Sequence, residues 1–294
     1  MNLFLVIILV FCWSPSFIFI KLSLDSFSPI SIGFLRAFIA LVIVFFTCKY
    51  KKINLLDYTK DLRKFIFMGL LVNGIPYILV NFAEEKISTF LTAILLGLVP
   101  LITLLISPLY FPKEKISKKT IFWFFLAFLG LIIINLSNIY EGRISDEIGV
   151  LLILTSAIFY ANGSAFAKKY LQQFPSLVSA FYQLLATTCF LGPYALVYES
   201  PFAQPVSLKS LIGITCLGVV CTAIPSSFYY KSIQRNGSHF TSLNNLIIPI
   251  VSSMLGMIFL GESVSFFVAI GGIMVFFSVY KIQYDKKLVL EKKA

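Results

Sequence analysis

The residues of this sequence that could do chemistry are polar side chains placed inside long apolar segments. A polar group in hydrocarbon is costly, so each one is expected to face protein, water or a ligand. Amides donate and accept hydrogen bonds without charge, which suits a neutral or zwitterionic solute, although amides also join membrane helices. The candidates are Asn73, Asn81, Asn162, Gln183, Asn244 and Asn245. Asn244 and Asn245 are the stronger ones, because they precede Pro249 where the helix can be irregular.

Arg36 is the one basic residue that lies well inside an apolar segment and not at its end. It lies about two turns from the segment's start, roughly 10 Å at 1.5 Å per residue. Its guanidinium could hold a substrate carboxylate through two parallel hydrogen bonds. Alternatively, the side chain extends outward along the helix and caps carbonyl groups at a helix end. The sequence favours this second interpretation and leaves the first open.

Aromatic side chains form a second group of candidates. Trp13 and Tyr160 lie 147 residues apart, each near the middle of an apolar segment. Aromatic residues in membrane proteins prefer the interface, so a central pair could form the walls of a substrate cavity. Ordinary helix packing is the alternative. If the cavity exists, we expect Asn73, Tyr77 and Asn245 beside the pair.

Prolines inside the apolar segments mark places where helices can bend, because proline donates no backbone N–H and frees a carbonyl. Two pairs recur 149 residues apart, Pro76 with Pro225 and Pro100 with Pro249. We interpret these four residues as candidate hinges, although prolines also occur in static membrane helices.

The sequence lacks the residue patterns of enzymes and pumps. It contains no nucleotide-binding glycine loop, hydrolase elbow or zinc-protease motif. The five cysteines fall in apolar segments without metal-ligand spacing. Acidic residues fall at segment ends or turns, among them Glu84, Glu114 and Glu262, and the single histidine, His239, begins a segment. We therefore predict no catalytic residue, no metal site, no cofactor, and transport that needs no buried carboxylate.

The segments that must position these residues dominate the composition. Of 294 residues, 59% are hydrophobic and 13% are charged, and the mean hydropathy is +0.92. A soluble domain carries about 25% charged residues, so an ordinary soluble protein is excluded. Ten apolar segments occur, at about 3–21, 30–48, 65–83, 88–110, 120–137, 148–167, 177–197, 208–230, 240–260 and 264–281. We predict an all-α membrane protein with ten transmembrane helices.

The distribution of basic residues predicts the orientation. If the loops alternate between two sides, 19 of the 24 Lys and Arg residues fall on the side of the N-terminus and four on the other. Positive charge is retained in the cytoplasm, so both termini are expected there. The net charge of +11 is then a topology signal, and no nucleic-acid partner is predicted. The excess of Ile, Lys, Asn and Phe suggests a bacterium, hence an inner membrane.

The two halves of the chain match each other. Trp13 and Lys21 correspond to Tyr160 and Lys168 at a spacing of 147 residues, and the proline pairs follow at 149. We predict one repeat over 1–140, a second over 146–284, and a basic cytoplasmic tail over 285–294. Because each repeat holds five segments, an odd number, the second repeat enters the membrane from the opposite side. Such inverted repeats are typical of secondary transporters, whose site lies at mid-membrane between them.

Several short motifs accompany these repeats. They are Trp13-x3-Phe17-x3-Lys21, Pro29-x6-Arg36, Pro100-Leu101 and Glu114 in the first repeat, and Tyr160-x7-Lys168, Gly237-Ser238, Pro249, Leu260-Gly261-Glu262 and Gly271-Gly272 in the second. With them the chain resembles EamA-type members of the drug/metabolite transporter superfamily over nearly its whole length. One departure is Phe111-Pro112-Lys113, which stands where Leu-Gly is usual. The resemblance implies a carrier for amino acids, nucleosides, drugs or other metabolites, and places Phe17 and Arg36 at motif positions.

The sequence thus predicts a secondary transporter of small metabolites, amino-acid-like or related polar solutes, working by export or exchange. The expected partners are a small-molecule substrate and the lipid bilayer. A channel or a non-transporting membrane protein is the alternative, and a membrane-embedded enzyme is less favoured because the chain has one histidine and no acidic cluster.

Overall fold

The regular structure of this chain is helical throughout its described part. A computed structural model describes residues 3–87, 89–112, 117–140, 146–203, 205–260 and 266–291, and no strand occurs among them. The α-helices are α1 (Leu3–Trp13), α2 (Ser16–Leu24), α3 (Pro29–Tyr50), α4 (Leu62–Gly69), α5 (Ile75–Lys86), α6 (Thr89–Leu96), α7 (Val99–Tyr110), α8 (Lys118–Tyr140), α9 (Glu147–Tyr170), α10 (Ser176–Tyr194), α11 (Leu208–Gly218), α12 (Ile224–Asn236), α13 (Ser238–Ser242), α14 (Asn244–Leu260) and α15 (Phe266–Glu291). The predicted all-α class is confirmed for these residues.

Six helical spans are long and apolar enough to cross a membrane, which needs about 20 apolar residues. They are Phe4–Leu24, Pro29–Tyr50, Leu55–Lys86, Glu147–Tyr170, Ser176–Glu199 and Leu208–Asn236. Shorter apolar helices cover Val99–Tyr110, Phe240–Ser252 and Ile270–Ile282. The protein is therefore a multi-pass membrane protein, and the count of ten crossings stays a prediction.

The outer surface of the helices carries large apolar side chains. Phe11, Phe46, Phe122 and Ile273 are each more than half exposed. In water such a surface would drive association, whereas in a bilayer it meets lipid tails. The abundance of phenylalanine, 31 residues, is explained in part by these faces.

Matched π-helical turns interrupt two of the long spans. One runs over Leu70–Gly74 and the other over Val219–Ala223, 149 residues later. Each is followed within two residues by a proline, Pro76 or Pro225. Proline cannot donate to the helix and crowds the carbonyl four residues before it. A wider turn at this point relieves that crowding, and π turns often occur at functional sites.

The other two candidate hinges differ from each other. Pro100 is the second residue of α7, which starts directly after a break at residues 97–98. Pro249 instead lies inside the unbroken helix α14, and the break in this span falls six residues earlier, at Leu243 between α13 and α14. The irregularity expected beside Asn244 and Asn245 is therefore present, but it precedes both residues.

Close helix contacts hold the two halves together around these turns. A Cβ added to Gly69 would lie 2.7 Å from the carbonyl oxygen of Gln183, and one added to Gly163 would lie 2.3 Å from the Val72 side chain. Both distances are below van der Waals contact, so only glycine fits. These two contacts fix the backbone of the first π turn against α9 and α10.

Candidate functional site

A cavity lies between the first half of the chain (residues 1–140) and the second half (residues 146–284). Its volume is about 130 Å³, enough for about ten water-sized atoms at roughly 10–15 Å³ each. Apolar and polar side chains both contribute to its wall, as in most small-molecule sites. The segments that line it include both π turns and the helix breaks described above.

The cavity is lined by equivalent positions of the two halves. Eighteen of its 22 lining residues form nine pairs at the two repeat spacings. The pairs at a spacing of 147 are Trp13 with Tyr160, Phe17 with Ser164 and Arg36 with Gln183; those at 149 are Val72 with Cys221, Asn73 with Thr222, Tyr77 with Ser226, Val80 with Tyr229, Leu96 with Asn245 and Val99 with Ile248. Both halves thus build the wall from the same places in their folds.

Arg36 belongs to this wall and lies inside the protein. It is only 6% exposed, its Nε donates to Thr222 Oγ1 at 3.1 Å, and its Cζ lies 4.1 Å from the centre of the Tyr77 ring. The outward-extended arrangement favoured from the sequence is therefore wrong. The sequence allowed for it because an arginine stem is long enough to reach either environment.

The Arg36 guanidinium has no carboxylate partner in the part of the chain that the structure describes. The ion pairs found there are Lys64 with Asp61 and Lys86 with Asp146. Only Nε of the guanidinium takes part in a hydrogen bond among these residues, which leaves its two terminal nitrogens as donors at the cavity. The face of the Tyr77 ring adds a second favourable contact, a cation–π interaction.

Asn73 brings a second unused donor to the same cavity. It lies in the first π turn and is 3% exposed. Its amide nitrogen is buried and has no hydrogen-bond partner within the described residues. A buried donor without a partner costs free energy, typically about 1–3 kcal/mol, so Asn73 is a polar group in the cavity wall that the described residues leave unsatisfied.

The matched aromatic residues both face the cavity. Trp13 and Tyr160 both line the cavity, and both side chains are half-buried. The ring of Trp13 packs against Tyr229, with 5.8 Å between centroids and an angle of 60°. Tyr77 and Asn245, expected beside this pair, also line the cavity.

Two of the ten candidate residues do not line the cavity. Asn162 lies two residues after Tyr160, which turns it about 200° around the helix; its Nδ2 donates to Ile158 O at 2.9 Å, and Tyr110 donates to its Oδ1 at 3.5 Å. Asn244 is fully buried, and neither atom of its amide has a partner among the described residues. Its neighbour Asn245 takes the position in the wall.

Glu84 is a buried acidic residue that the sequence placed correctly but whose burial it did not indicate. It lies in the last turn of α5 and has no exposed surface. Thr89 donates to its Oε2 at 3.0 Å, while Oε1 has no partner in the described chain. The Lys21 ammonium donates to the backbone carbonyl of Glu84 and, at 3.3 Å, to that of Ile87. Lys21 thereby fastens α2 to the turn between α5 and α6.

Several residues that line the cavity were not identified from the sequence, although the repeat spacing would have predicted them. Applying the repeat spacing to Arg36, Asn73 and Tyr77 gives Gln183, Thr222 and Ser226. Only the first of these was a candidate. Glu114, Glu262 and the His239 side chain lie outside the described residues.

The chain has recognisable relatives. It matches the EamA-like transporter family twice, over residues 1–136 and 147–283. An uncharacterized transporter of Archaeoglobus fulgidus is 27% identical over 91% of this chain and 93% of its own. An uncharacterized transporter of Clostridium kluyveri is 26% identical, over 85% and 81% respectively, and YyaM, an uncharacterized transporter of Bacillus subtilis, is 23% identical over 88% and 86%.

A solved crystal structure has the same fold. The TM-score is 0.76, the superposition covers 94% of each chain, and the sequence identity is 14%. That likeness concerns the fold alone. The fold is that of a multi-pass helical membrane protein, and it contains a cavity lined by both halves of the chain. Together with the two family matches, these features show that this chain belongs to the EamA-like transporter family of the drug/metabolite transporter superfamily.

Proposed function

We propose that this protein is a secondary transporter that moves small polar metabolites of amino-acid-like size across a bacterial inner membrane by export or exchange. Membership of the EamA-like family supports membrane transport. The observation that carries the rest is the cavity, because the two halves line it with equivalent positions. A site placed on the boundary between two equivalent halves can open to either side when one half moves against the other.

The proposal includes ten membrane crossings in two inverted repeats, residues 1–140 and 146–284, with both termini and the tail 285–294 in the cytoplasm. The 19-to-4 distribution of basic residues supports this orientation. The proposed substrate-binding residues are the eight candidates at the cavity: Trp13, Phe17, Arg36, Asn73, Tyr77, Tyr160, Gln183 and Asn245.

The proposed hinges are Pro76, Pro100, Pro225 and Pro249. Three of them stand within two residues of a π turn or a helix break, where the backbone hydrogen-bond ladder is already interrupted. Bending there breaks fewer hydrogen bonds than bending a continuous helix. Pro249 has the weakest support, since its helix continues through it.

The proposed energy source is the substrate gradient. None of the residues that line the cavity is acidic, so the site lacks the carboxylate that proton-driven carriers commonly use. Exchange needs only two conformations of similar free energy and a substrate that binds neither much more strongly.

Counterflow in proteoliposomes tests this function. Vesicles that contain the purified protein and a high internal concentration of a metabolite should transiently accumulate the same labelled metabolite from outside. A channel equilibrates the label without this overshoot, and a non-transporting protein gives no protein-dependent uptake. Trp13→Ala and Phe46→Ala form a matched pair of aromatic truncations, because Trp13 lines the cavity whereas Phe46 is 60% exposed on the outer surface. Only the first should reduce the overshoot.

A pH gradient imposed without a substrate gradient tests the energy source. We expect no net accumulation. Accumulation that disappears on adding a protonophore would show proton coupling and would overturn this part of the proposal, with Glu84 the first residue to examine.

A further inference from the structure

We propose that the cavity selects organic anions: compact carboxylates that carry no ammonium group, such as hydroxy or oxo acids, in preference to the corresponding amino acids. The inference rests on the proposed function and narrows its substrate class. Three features of the wall support it: the single charged residue, the hydrogen-bond donors without partners, and the apolar surface of the rest of the lining.

The charge of the cavity is positive and uncompensated. Arg36 is the one charged residue among those that line it, and it is 6% exposed. An ion removed from water is strongly disfavoured unless an opposite charge or hydrogen bonds replace its hydration. Thr222 and Tyr77 satisfy one side of the guanidinium. A bound anion at the two terminal nitrogens would supply the missing charge.

The donors that remain unused both suit a carboxylate. Thr222 is already satisfied, because its hydroxyl donates to Leu217 O at 2.7 Å and accepts from Arg36. The Arg36 terminal nitrogens and the buried Asn73 Nδ2 are left with N–H groups and no acceptor in the described chain. A carboxylate has two oxygens, each able to accept more than one hydrogen bond, so it can accept from both terminal nitrogens of Arg36 at once.

An ammonium group finds no equivalent partner in this wall. The lining contains no carboxylate, and the side-chain oxygen of Gln183 already accepts from the Tyr230 hydroxyl. A cation in the same small cavity would also be repelled by Arg36, more strongly than in water because the surroundings are less polar. A zwitterion therefore gains at its carboxylate and loses at its ammonium, whereas an anion only gains.

The rest of the wall determines the size and polarity of the part of the substrate that carries the carboxylate. Trp13, Phe17, Val80 and Leu96 provide apolar surface, and the volume of about 130 Å³ admits about ten non-hydrogen atoms. This fits a carboxylate with a short aliphatic or aromatic body. Nucleotides and sugar phosphates have more atoms than this volume holds.

Binding to purified protein in nanodiscs tests the class directly. The probes are three matched series: 3-phenyllactate, phenylalanine and phenethylamine; 2-hydroxyisocaproate, leucine and isoamylamine; lactate, alanine and ethylamine. Within a series the hydroxy acid and the amino acid differ only in a hydroxyl against an ammonium. We expect the hydroxy acid to raise the unfolding temperature most in at least one series and the amine least. If no hydroxy acid exceeds its amino acid in any series, the inference is wrong.

Variants assign the effect to the named residues. Arg36→Gln should weaken binding of the best hydroxy acid roughly ten- to a hundredfold, because a charge-assisted hydrogen bond is lost. Lys49→Gln removes the same charge at an exposed position outside the cavity and should leave the affinity unchanged. Arg36→Lys keeps the charge and should retain part of the affinity. Equal affinities in Arg36→Gln and wild type would overturn the assignment, and the comparison of probes on the wild type decides the class even if a variant misfolds.

Counterflow separates this inference from the function on which it rests. If hydroxy acids bind in the expected order but show no overshoot, the protein is not a carrier for them and the proposed function fails. If an amino acid shows the overshoot and binds more tightly than its hydroxy acid, the transporter is supported and the anion selectivity is wrong.

Discussion

The two halves line the cavity with equivalent positions, but the residues at those positions differ in chemistry. Arg36 and Gln183 occupy equivalent positions, yet the arginine is charged and lacks a carboxylate partner in the described chain, while the glutamine is neutral and accepts from Tyr230. In the equivalent π turns, Asn73 keeps an unused donor and Thr222 is satisfied. In these two pairs the first half therefore presents the unsatisfied polar group, and the second half presents a group already engaged with protein. The repeat accounts for the equivalent positions in the wall, and the proposed anion selectivity depends on the difference between the two members of each pair.

The proposed opposite orientation of the two halves predicts the largest effect, because labelling from one side either occurs or does not. Lys60 and Lys209 are 149 residues apart and so occupy equivalent positions. In a cysteine-free background, a cysteine at position 60 should react only from the cytoplasm and one at position 209 only from outside. Cysteines at positions 118 and 287 should behave like position 60, and one at position 143 like position 209. Labelling of Lys60→Cys and Lys209→Cys from the same side would refute the inverted repeats.

Exchanging the residues of the arginine–glutamine pair should change transport most among the cavity variants. Arg36→Gln should lower transport of an anionic substrate by roughly ten- to a hundredfold, since the charge-assisted contact is worth about 1.5–3 kcal/mol. The double variant Arg36→Gln with Gln183→Arg restores the net charge at the equivalent position, and we expect partial recovery because Asn73 stays in the first half. Initial rates in proteoliposomes measure both. Wild-type rates in the single variant would show that the two halves do not differ in charge recognition.

Truncating the aromatic pair tests whether the asymmetry extends to the apolar wall. Trp13→Ala removes the larger ring of the pair Trp13 and Tyr160, and with it the packing against Tyr229. We expect substrate transport per folded molecule to fall several-fold, with a smaller fall for Tyr160→Ala. Uptake normalised to the monodisperse fraction in size-exclusion chromatography separates binding from folding. If transport and folded yield fall in parallel, the tryptophan serves packing alone.

Replacing Gln183, the member of the Arg36–Gln183 pair that is hydrogen-bonded to the protein, should affect stability more than transport. Gln183→Leu leaves the buried Tyr230 hydroxyl without its acceptor, which costs about 1–3 kcal/mol. We expect a lower unfolding temperature in nanodiscs and a smaller loss of substrate affinity than in Arg36→Gln. Arg36→Gln, which removes a buried charge that has no carboxylate partner, should show the reverse: lost affinity without lost stability. The same response from both variants would contradict the division of roles between the halves.

The smallest effect is expected at the start of the second half, where Asp146 caps α9. Its carboxylate accepts from the Gly149 and Ile148 amides at 3.2 and 2.8 Å and lies 3.4 Å from Lys86 of the first half. The Gly149 bond is the main cause that lowers the pKa of Asp146 below its ordinary value. Because the folded pKa is lowered, the stabilisation is complete above that ordinary value, near 3.8, and is lost as the pH falls through the lowered one. Asp146→Asn should remove this acid-side dependence of the unfolding temperature and leave neutral-pH transport unchanged.

The sequence predicted the arrangement of the helices better than the direction of individual side chains. The spacing of 147 to 149 residues is a property of the chain order, so it correctly indicated equivalent positions such as Trp13 and Tyr160. Side-chain direction changes by about 100° per residue, and this is why Asn162 and Asn244 were misplaced while Asn245 was not. The environment of Arg36 depends on Thr222 and Tyr77, which two other helical spans bring near it, and no local pattern records that.

The π turns were also beyond prediction from the sequence. Their prolines are visible in the chain, but a proline can be accommodated by a kink, a break or a wide turn. The neighbouring helices select among these, as the contact of Gly163 with Val72 illustrates. The burial of Glu84 depends in the same way on residues brought in from other helices, such as Lys21.

Each π turn holds one surplus residue in an otherwise regular helix, much as a dislocation holds one surplus row in a crystal. A dislocation lets a crystal slip row by row instead of all at once. Moving the surplus by one step along the helix turns each side chain that it passes by about 100° while most of the backbone ladder stays intact. Asn73 lies in the first π turn and Thr222 lies in the second. Such a shift along the helix would change the direction of the polar side chains at the cavity, and no helical turn would have to unfold.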